Sequence, residues 1–94
     1  MNNSRIETDA IVCPGEELAE ELAVRGISPR EFAEKMSISA RLVSGLLSGE
    51  KPLTAEIALK MERFLGVDPH LWLNLEAQYR LALARRKEQG KRTA

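Results

Sequence analysis

Residues 28–49 constrain the fold more than any other part of the chain, because they predict two short helices joined by a very short turn. Ser28 and Glu31 form a capping box, in which each side chain can bind the backbone N–H of the other residue. Pro29 stands at the first helical position, where no N–H is needed. A first helix therefore begins at Pro29. Its buried face is predicted to consist of Phe32, Ala33 and Met36.

A second helix follows after only three residues, 37–39. Ser39 can cap its beginning and Gly49 can end it, so we predict a helix over residues 40–48. At about 100° per residue, its side chains separate into two opposite arcs. The arc predicted to be buried consists of Val43, Leu46 and Leu47. The arc predicted to be exposed consists of Arg41, Ser44, Gly45 and Ser48.

Two short helices at a tight turn make a helix-turn-helix, and the exposed arc of the second helix suits a DNA groove. Small side chains let a helix approach the major groove closely, and an arginine can bind O6 and N7 of guanine. We therefore predict that Arg41 reads a base, whereas Arg30 and Lys51, near the helix ends, contact phosphates. The residues predicted to bind DNA are Ser28, Arg30, Ser39, Ala40, Arg41, Ser44, Gly45, Ser48 and Lys51. The alternative is that this face is the solvated surface of an ordinary two-helix corner.

Three further helices are predicted from helical spacing and from their end signals. They span residues 14–25, residues 55–65 and residues 69 to about 87, and the last is the longest. The predicted fold class is therefore all-α, with five helices.

The 94 residues leave room for one small domain. We place this DNA-binding domain at residues 14–88. Residues 1–13 are mostly polar and are predicted to form a flexible N-terminal arm. Residues 89–94 are predicted to form a basic C-terminal tail.

Net charge does not identify a partner, because 14 Lys and Arg residues balance 14 Asp and Glu residues. Domains that bind DNA usually carry a basic surface. Between Ser28 and Lys51, however, the chain has four basic residues and three glutamates. A protein-interaction module with no role in DNA binding therefore remains an alternative.

Cys13 is the only cysteine and His70 the only histidine, so an intrachain disulfide and a cluster of metal ligands are excluded. Catalysis lacks a base placed beside a nucleophile. The start of the chain does not resemble a signal peptide, and no apolar run approaches the roughly 18 residues needed to cross a membrane. We therefore predict a cytoplasmic protein that is not an enzyme, needs no cofactor or metal, and does not bind membranes.

The longest predicted helix carries apolar residues on two nearly opposite sides. The side predicted to cover the core consists of Leu71, Trp72, Leu75, Tyr79, Ala82 and Leu83. The other side consists of Leu73, Ala77, Leu81 and Ala84. Because an exposed leucine ridge usually marks an interface, we predict that this second set joins two copies in a homodimer. The alternative is that the fourth helix or the N-terminal arm covers it.

Several short motifs occur in a fixed order between residue 13 and about residue 83. They are Pro14-Gly15-Glu16 with Leu18, Ser28-Pro29-Arg30-Glu31-Phe32-Ala33, Val43-Ser44, Leu46-Leu47, Leu53-Thr54, Ile57-Ala58, and Trp72-Leu73-Asn74-Leu75 with Tyr79 and Leu81. In this order they resemble the Xre-like helix-turn-helix proteins and, among them, the HigA-type antitoxins of bacterial toxin–antitoxin modules. The segment at residues 72–75 is the most specific part of the resemblance.

The resemblance implies a lambda-repressor-like domain of five helices with a longer C-terminal helix. It also implies an antitoxin of a type II module, which binds its own operator in double-stranded DNA, represses its own operon and neutralises a small basic ribonuclease toxin. Because such a toxin carries cationic surface, the acidic face of the first helix is its predicted docking site. That face consists of Glu16, Glu17, Glu20 and Glu21. The arm with Ile11 and Val12 is a competing site, and a free-standing regulator without a toxin is an alternative function.

Four positions depart from the family pattern. Cys13 stands where histidine is common, and Glu76 stands where glutamine is usual. Ser37 occupies a turn position often held by glycine, which predicts mild backbone strain. Gly45 replaces a residue that is frequently polar or basic, so one common DNA contact is expected to be absent.

Overall fold

The computed structural model describes residues 11–93, and the side chains of residues 11–90. Five helices make up this part of the chain: α1 (Pro14–Arg25), α2 (Pro29–Met36), α3 (Ala40–Ser48), α4 (Ala55–Leu65) and α5 (Pro69–Thr93). Residues 11–93 contain no strand. The predicted all-α class with five helices and a long last helix is therefore confirmed.

The predicted N-terminal arm and the predicted C-terminal tail are only partly covered by the described residues. Residues 1–10 of the predicted N-terminal arm lie outside the described residues, whereas residues 11–13 lead into α1 and Cys13 is buried. At the other end, α5 continues past the predicted end near Lys87 to Thr93. Residues 89–93 of the predicted tail are therefore helical.

Helix boundaries follow from caps that the sequence contains. The hydroxyl oxygens of Ser28, Ser39 and Thr54 accept hydrogen bonds from backbone N–H groups at the starts of α2, α3 and α4, over 3.1, 3.0 and 3.3 Å. At the end of α2, Ser37 has a φ of 57°, a left-handed conformation that glycine normally occupies. The strain predicted at Ser37 is therefore present, on the order of 1 kcal/mol.

One hydrophobic core lies between the five helices. Leu18 of α1, Phe32 of α2 and Met61 of α4 are fully buried, and Val43 of α3 and Trp72 of α5 are nearly so. Burial of a large apolar side chain contributes about 1.5–3 kcal/mol, so these contacts hold α2 and α3 at a fixed angle. The two helices of the motif are thus positioned by the whole domain and not by their turn alone.

The first turn of α1 contacts the last turn of α3 directly through backbone atoms. A Cβ atom at Gly15 would stand closer than 3.0 Å to the carbonyl oxygens of Leu46 and Leu47. The absence of a side chain at Gly15 therefore permits the contact. The arrangement is also electrostatically favourable, because the positive N-terminal end of one helix meets the negative C-terminal end of another.

We expect Gly15→Ala to lower the free energy of unfolding by about 1–3 kcal/mol, because overpacking against backbone cannot be relieved by a rotamer change. Urea denaturation followed by circular dichroism measures the effect. Gly90→Ala is the matched control, since a Cβ at Gly90 in α5 would meet no atom within 4 Å. Equal stability of the Gly15 variant and the native protein would show that the two helices do not make this contact.

Candidate nucleic-acid interface

The two helices of the motif have the predicted bounds, and a turn at residues 37–39 joins them. Ile38 packs partly buried against the core. Its backbone N–H donates to the carbonyl oxygen of Ala33 over 3.0 Å, which closes the end of α2. Ser39 caps α3, so the helix begins directly after the turn. The predicted helix-turn-helix is confirmed.

The outer face of α3 is exposed along its whole length. Its exposed residues are Ala40, Arg41, Ser44 and Ser48, all of which belong to the predicted DNA-binding set. A shallow cleft of about 800 Å³ runs between this face and the start of α2. Its lining includes Pro29 and Arg30 from α2 and the half-buried Leu47 from α3. On α3 itself, Arg41 is therefore the one long exposed side chain among short ones, and Arg30 of α2 lies across the cleft.

The prediction that Gly45 lies on the exposed face of α3 is wrong, because Gly45 is buried. The side chain of Lys51 covers it, so that an added Cβ at Gly45 would come within 3.1 Å of the Lys51 Cβ atom and closer still to Cγ. The backbone N–H of Lys51 also donates to the carbonyl oxygen of Gly45 over 3.0 Å. The loop after α3 thus folds back over the helix, which helical spacing alone does not predict.

Three cations predicted to contact DNA are exposed and carry no ion pair in the described part of the chain. Arg30 lies in the first turn of α2, Arg41 in the first turn of α3 and Lys51 just after α3. The two ion pairs of arginines among residues 11–90 join other side chains, Arg25 with Glu21 and Arg80 with Glu76, and Asp68 lies beside His70. The guanidinium and ammonium groups on this face are therefore available to an anionic partner.

The C-terminal end of α3 is bonded to α5 through residues that sequence reasoning did not assign to the site. The Nη2 atom of Arg80 donates to the carbonyl oxygen of Gly49 over 3.0 Å. Its Nε atom donates to Oε2 of Glu76 over 2.5 Å. Glu76 and Arg80 stand four residues apart on α5, a spacing typical of a helical ion pair. Nothing in the sequence, however, brings this pair to Gly49.

Cys13 and Tyr79 also lie close to Gly49. A Cβ at Gly49 would lie 3.0 Å from both the Cys13 Sγ atom and the Tyr79 hydroxyl oxygen. The hydrogen bond with Cys13, followed by burial, raises the pKa of Tyr79. With a φ of 87°, Gly49 ends α3 in a conformation that suits only glycine in such a confined place.

The acidic face predicted to bind a toxin lies on the outer side of α1. Glu16, Glu17 and Glu20 are exposed. Glu21 is half-buried and accepts a hydrogen bond from Nε of Arg25 over 2.7 Å, so its charge is already partly compensated. The acidic face and the outer face of α3 belong to different helices.

The apolar stripe predicted to join two copies is only partly free. Ala77, Leu81 and Ala84 are exposed on α5, with Leu81 exposed over 51% of its surface. Leu73 instead packs half-buried against the core of its own chain. Leu71 was predicted to face the core but is 53% exposed. Leu83, also predicted to face the core, is 37% exposed, so the exposed apolar surface of α5 differs from the predicted stripe.

His70 and the acidic side chains form no metal centre in the described residues, where no group of three or more possible ligands occurs. His70 lies beside Asp68, with 3.1 Å between Nδ1 and Oδ1. The backbone N–H of His70 donates to the Asp68 carboxylate and holds the pKa of Asp68 below its usual range. None of the helices within residues 11–93 has the length and apolar character needed to cross a membrane.

The fold and the exposed face of α3 define a helix-turn-helix protein, and comparisons agree. The model of the helix-turn-helix family matches residues 25–72. The uncharacterized HTH-type transcriptional regulator YddM of Escherichia coli is 41% identical over 71 residues, which cover 76% of each chain. The chain therefore belongs to the helix-turn-helix family, in its Xre-like branch.

Solved structures similar to this chain include HigA antitoxins. An addiction module antidote protein of the HigA family from Coxiella burnetii is 35% identical, with a TM-score of 0.78 over 86% of this chain and 89% of that chain. The Pseudomonas aeruginosa antitoxin HigA, solved with the higBA promoter, is 28% identical, with a TM-score of 0.80 over 87% of this chain and 90% of that chain. The family and the fold are those of DNA-binding antitoxins and regulators and not of enzymes.

Proposed function

We propose that this protein is a sequence-specific DNA-binding antitoxin of a type II toxin–antitoxin module, which represses its own operon and neutralises a ribonuclease toxin. The observation that carries the DNA-binding part is the outer face of α3, where Arg41 projects among Ala40, Ser44 and Ser48. The similarity to an antitoxin solved with its promoter supports the same interpretation.

In this proposal α3 lies in the major groove of the operator. Short side chains let the helix approach the bases, and the Arg41 guanidinium binds O6 and N7 of a guanine. The capped ends of α2 and α3, at Ser28 and Ser39, bring backbone N–H groups and hydroxyls near the phosphates. Arg30 and Lys51 neutralise phosphates on either side. Gly45 contributes by giving Lys51 a backbone surface to lie on.

We expect Arg41→Ala to weaken operator binding by about 1–3 kcal/mol and to relax the preference at one base pair. Lys51→Met keeps an apolar stem over Gly45 but removes the charge. It should weaken binding to all DNA sequences alike and lower the salt slope by about 0.9 for each phosphate that is no longer neutralised. Fluorescence anisotropy at several salt concentrations, with DNA from upstream of the reading frame and a scrambled duplex, measures both effects.

Arg25→Met is the control for loss of one cation, because Arg25 lies at the end of α1 and pairs with Glu21. It should leave the specificity ratio unchanged. If Arg41→Ala weakened operator and scrambled DNA equally, Arg41 would be a phosphate contact and not the residue that reads a base.

The second part of the proposal is that two copies form a twofold dimer through α5. One copy offers few cations for tight binding, and Leu81 with its neighbours Ala77 and Ala84 presents exposed apolar surface. A twofold dimer would place its two α3 helices in grooves about 34 Å apart and would require a palindromic operator.

Leu81→Glu should produce monomers in sedimentation and abolish operator binding, because a carboxylate cannot be buried unpaired in an apolar interface. Leu59→Glu is the matched control, since Leu59 is 47% exposed on α4 and Leu81 is 51% exposed on α5. The Leu59 variant should remain dimeric. A native protein that sediments as a monomer and binds one half-site tightly would contradict this part of the proposal.

The third part concerns the toxin, for which the acidic face of α1 is the proposed site. Glu16, Glu17 and Glu20 are exposed, and a ribonuclease carries cationic surface to hold its RNA. Because α1 and α3 are different helices, toxin and operator could bind together. The competing site is the segment before α1, where Val12 is 44% exposed and Ile11 is half-buried.

Glu17→Lys combined with Glu20→Lys should weaken binding to a protein encoded by the adjacent reading frame at least about tenfold. The reason is that two negative charges that attract a cationic toxin surface become positive charges that repel it. Titration calorimetry measures the affinity, and circular dichroism confirms that the helix survives. Glu34→Lys with Glu62→Lys, an exposed pair outside α1, is the matched control. Unchanged affinity in the α1 variant would assign the toxin to the segment before α1 or to α5.

An unpaired regulator of the same fold is the alternative function, and a module with no DNA role is favoured only by the balanced charge of the chain. The neighbouring reading frame distinguishes the antitoxin from the unpaired regulator, since only the antitoxin has a toxin gene beside it. Failure of the native protein to bind the upstream DNA at low salt would favour the interaction module.

A further inference from the structure

The carbonyl oxygen of Gly49, at the end of α3, receives a hydrogen bond from a side chain 31 residues away. The donor is Nη2 of Arg80 on α5, over 3.0 Å. The same guanidinium donates Nε to Glu76 and lies 5.0 Å from the centre of the Tyr79 ring. It is therefore held by a carboxylate and an aromatic ring on its own helix while it reaches the neighbouring helix.

The burial of Glu76 distinguishes this ion pair from the other helical pair of the same spacing. The side chain of Glu76 is 12% exposed and that of Arg80 is 36% exposed. In the pair of Arg25 and Glu21, the corresponding values are 36% and 35%. A poorly solvated carboxylate requires its partner more strongly, so Glu76 restricts Arg80 to the orientation that reaches Gly49.

We propose that Glu76 and Arg80 are positioning residues for DNA recognition, because they fix the C-terminal end of α3 to α5 and thereby set the angle at which Arg41 enters the groove. This inference rests on the proposed function. It also connects the helix that reads the operator with the helix that we propose joins two copies.

The physical reason is leverage along a short helix. α3 has nine residues, so about 12 Å of helix separates Gly49 from Arg41. A small rotation of α3 about Gly49 would therefore move Arg41 by a fraction of an ångström or more. Base contacts depend on such displacements, whereas contacts with phosphates tolerate them. Loss of the hydrogen bond to Gly49 should therefore affect specific binding more than non-specific binding.

Glu76→Gln tests the proposal, because electrostatics and positioning predict opposite signs. Removal of a negative charge strengthens attraction to DNA, so electrostatics alone predicts tighter binding to every sequence. The neutral amide holds Arg80 less firmly, so positioning predicts that operator binding weakens about tenfold. Anisotropy measured against operator and scrambled DNA at matched salt gives both affinities.

Arg80→Lys separates geometry from charge. Lysine keeps the positive charge but cannot serve Glu76 and Gly49 with two nitrogen atoms in one plane. We expect it to lower the ratio of specific to non-specific affinity as Glu76→Gln does, with an unchanged salt slope. If Arg80→Lys instead lowered the salt slope and weakened binding to all sequences equally, Arg80 would be a phosphate contact, and the proposal would be overturned.

Glu21→Gln is the matched control, because it weakens a pair of the same spacing that lies on α1. If Glu21→Gln lost as much specificity as Glu76→Gln, the effect would come from general stability, and the proposal would be overturned. An unchanged ratio of specific to non-specific affinity in Glu76→Gln would also overturn it. Amide hydrogen exchange provides a readout without DNA: Glu76→Gln should lower protection in the last turn of α3 relative to α1. If the native protein does not bind the operator, the proposed function fails. Unchanged amide hydrogen exchange in the last turn of α3 of Glu76→Gln would separately overturn the positioning role.

Discussion

The backbone contact between the first turn of α1 and the last turn of α3 determines how the rest of this domain is arranged. Gly15 permits it, since any Cβ there would overlap the carbonyl oxygens of Leu46 and Leu47. Peptide groups at a helix end are polar and lack partners within their own helix, so a second helix end of opposite polarity is a favourable neighbour. Because α1 packs against its last turn and Arg80 of α5 donates to the carbonyl oxygen of Gly49, α3 is anchored near its C-terminus, while its outer face stays exposed.

A net charge of zero is compatible with a cationic surface, because some basic side chains of this chain are paired within the fold and others are exposed without an ion pair. Arg25 and Arg80 are paired with glutamates, and the Lys60 ammonium donates to the carbonyl oxygen of Met36 over 3.1 Å. Arg30 and Arg41 are exposed on the outer side of the motif and take part in none of the ion pairs among the described side chains. Composition therefore underestimates the local field that an approaching anion would meet.

The sequence contains enough local information to predict the helices and not enough to predict how they meet. Caps such as Ser28 and Ser39 act within three residues, so the bounds of α2 and α3 could be predicted. The burial of Gly45 could not, because it depends on a loop that returns over the helix. The contact of Arg80 with Gly49 spans 31 residues, and helical spacing contains no information about it. For the same reason the free surface of α5 differs from the predicted stripe, since Leu73 meets a core assembled from other helices.

The packing of Lys51 over Gly45 limits how this surface can diverge. A larger residue at position 45 would displace the stem of Lys51, because an added Cβ would come closer than 3.0 Å to its Cγ atom, so a new side chain there would also move the neighbouring cation. Under the proposed function, a duplicated gene would acquire a different operator with least disturbance of the fold through changes at the open positions of α3, such as Ala40, Ser44 and Ser48. On that proposal, those few exposed residues would keep two related proteins in one cell from binding each other's sites, while a change at Gly45 would also move Lys51.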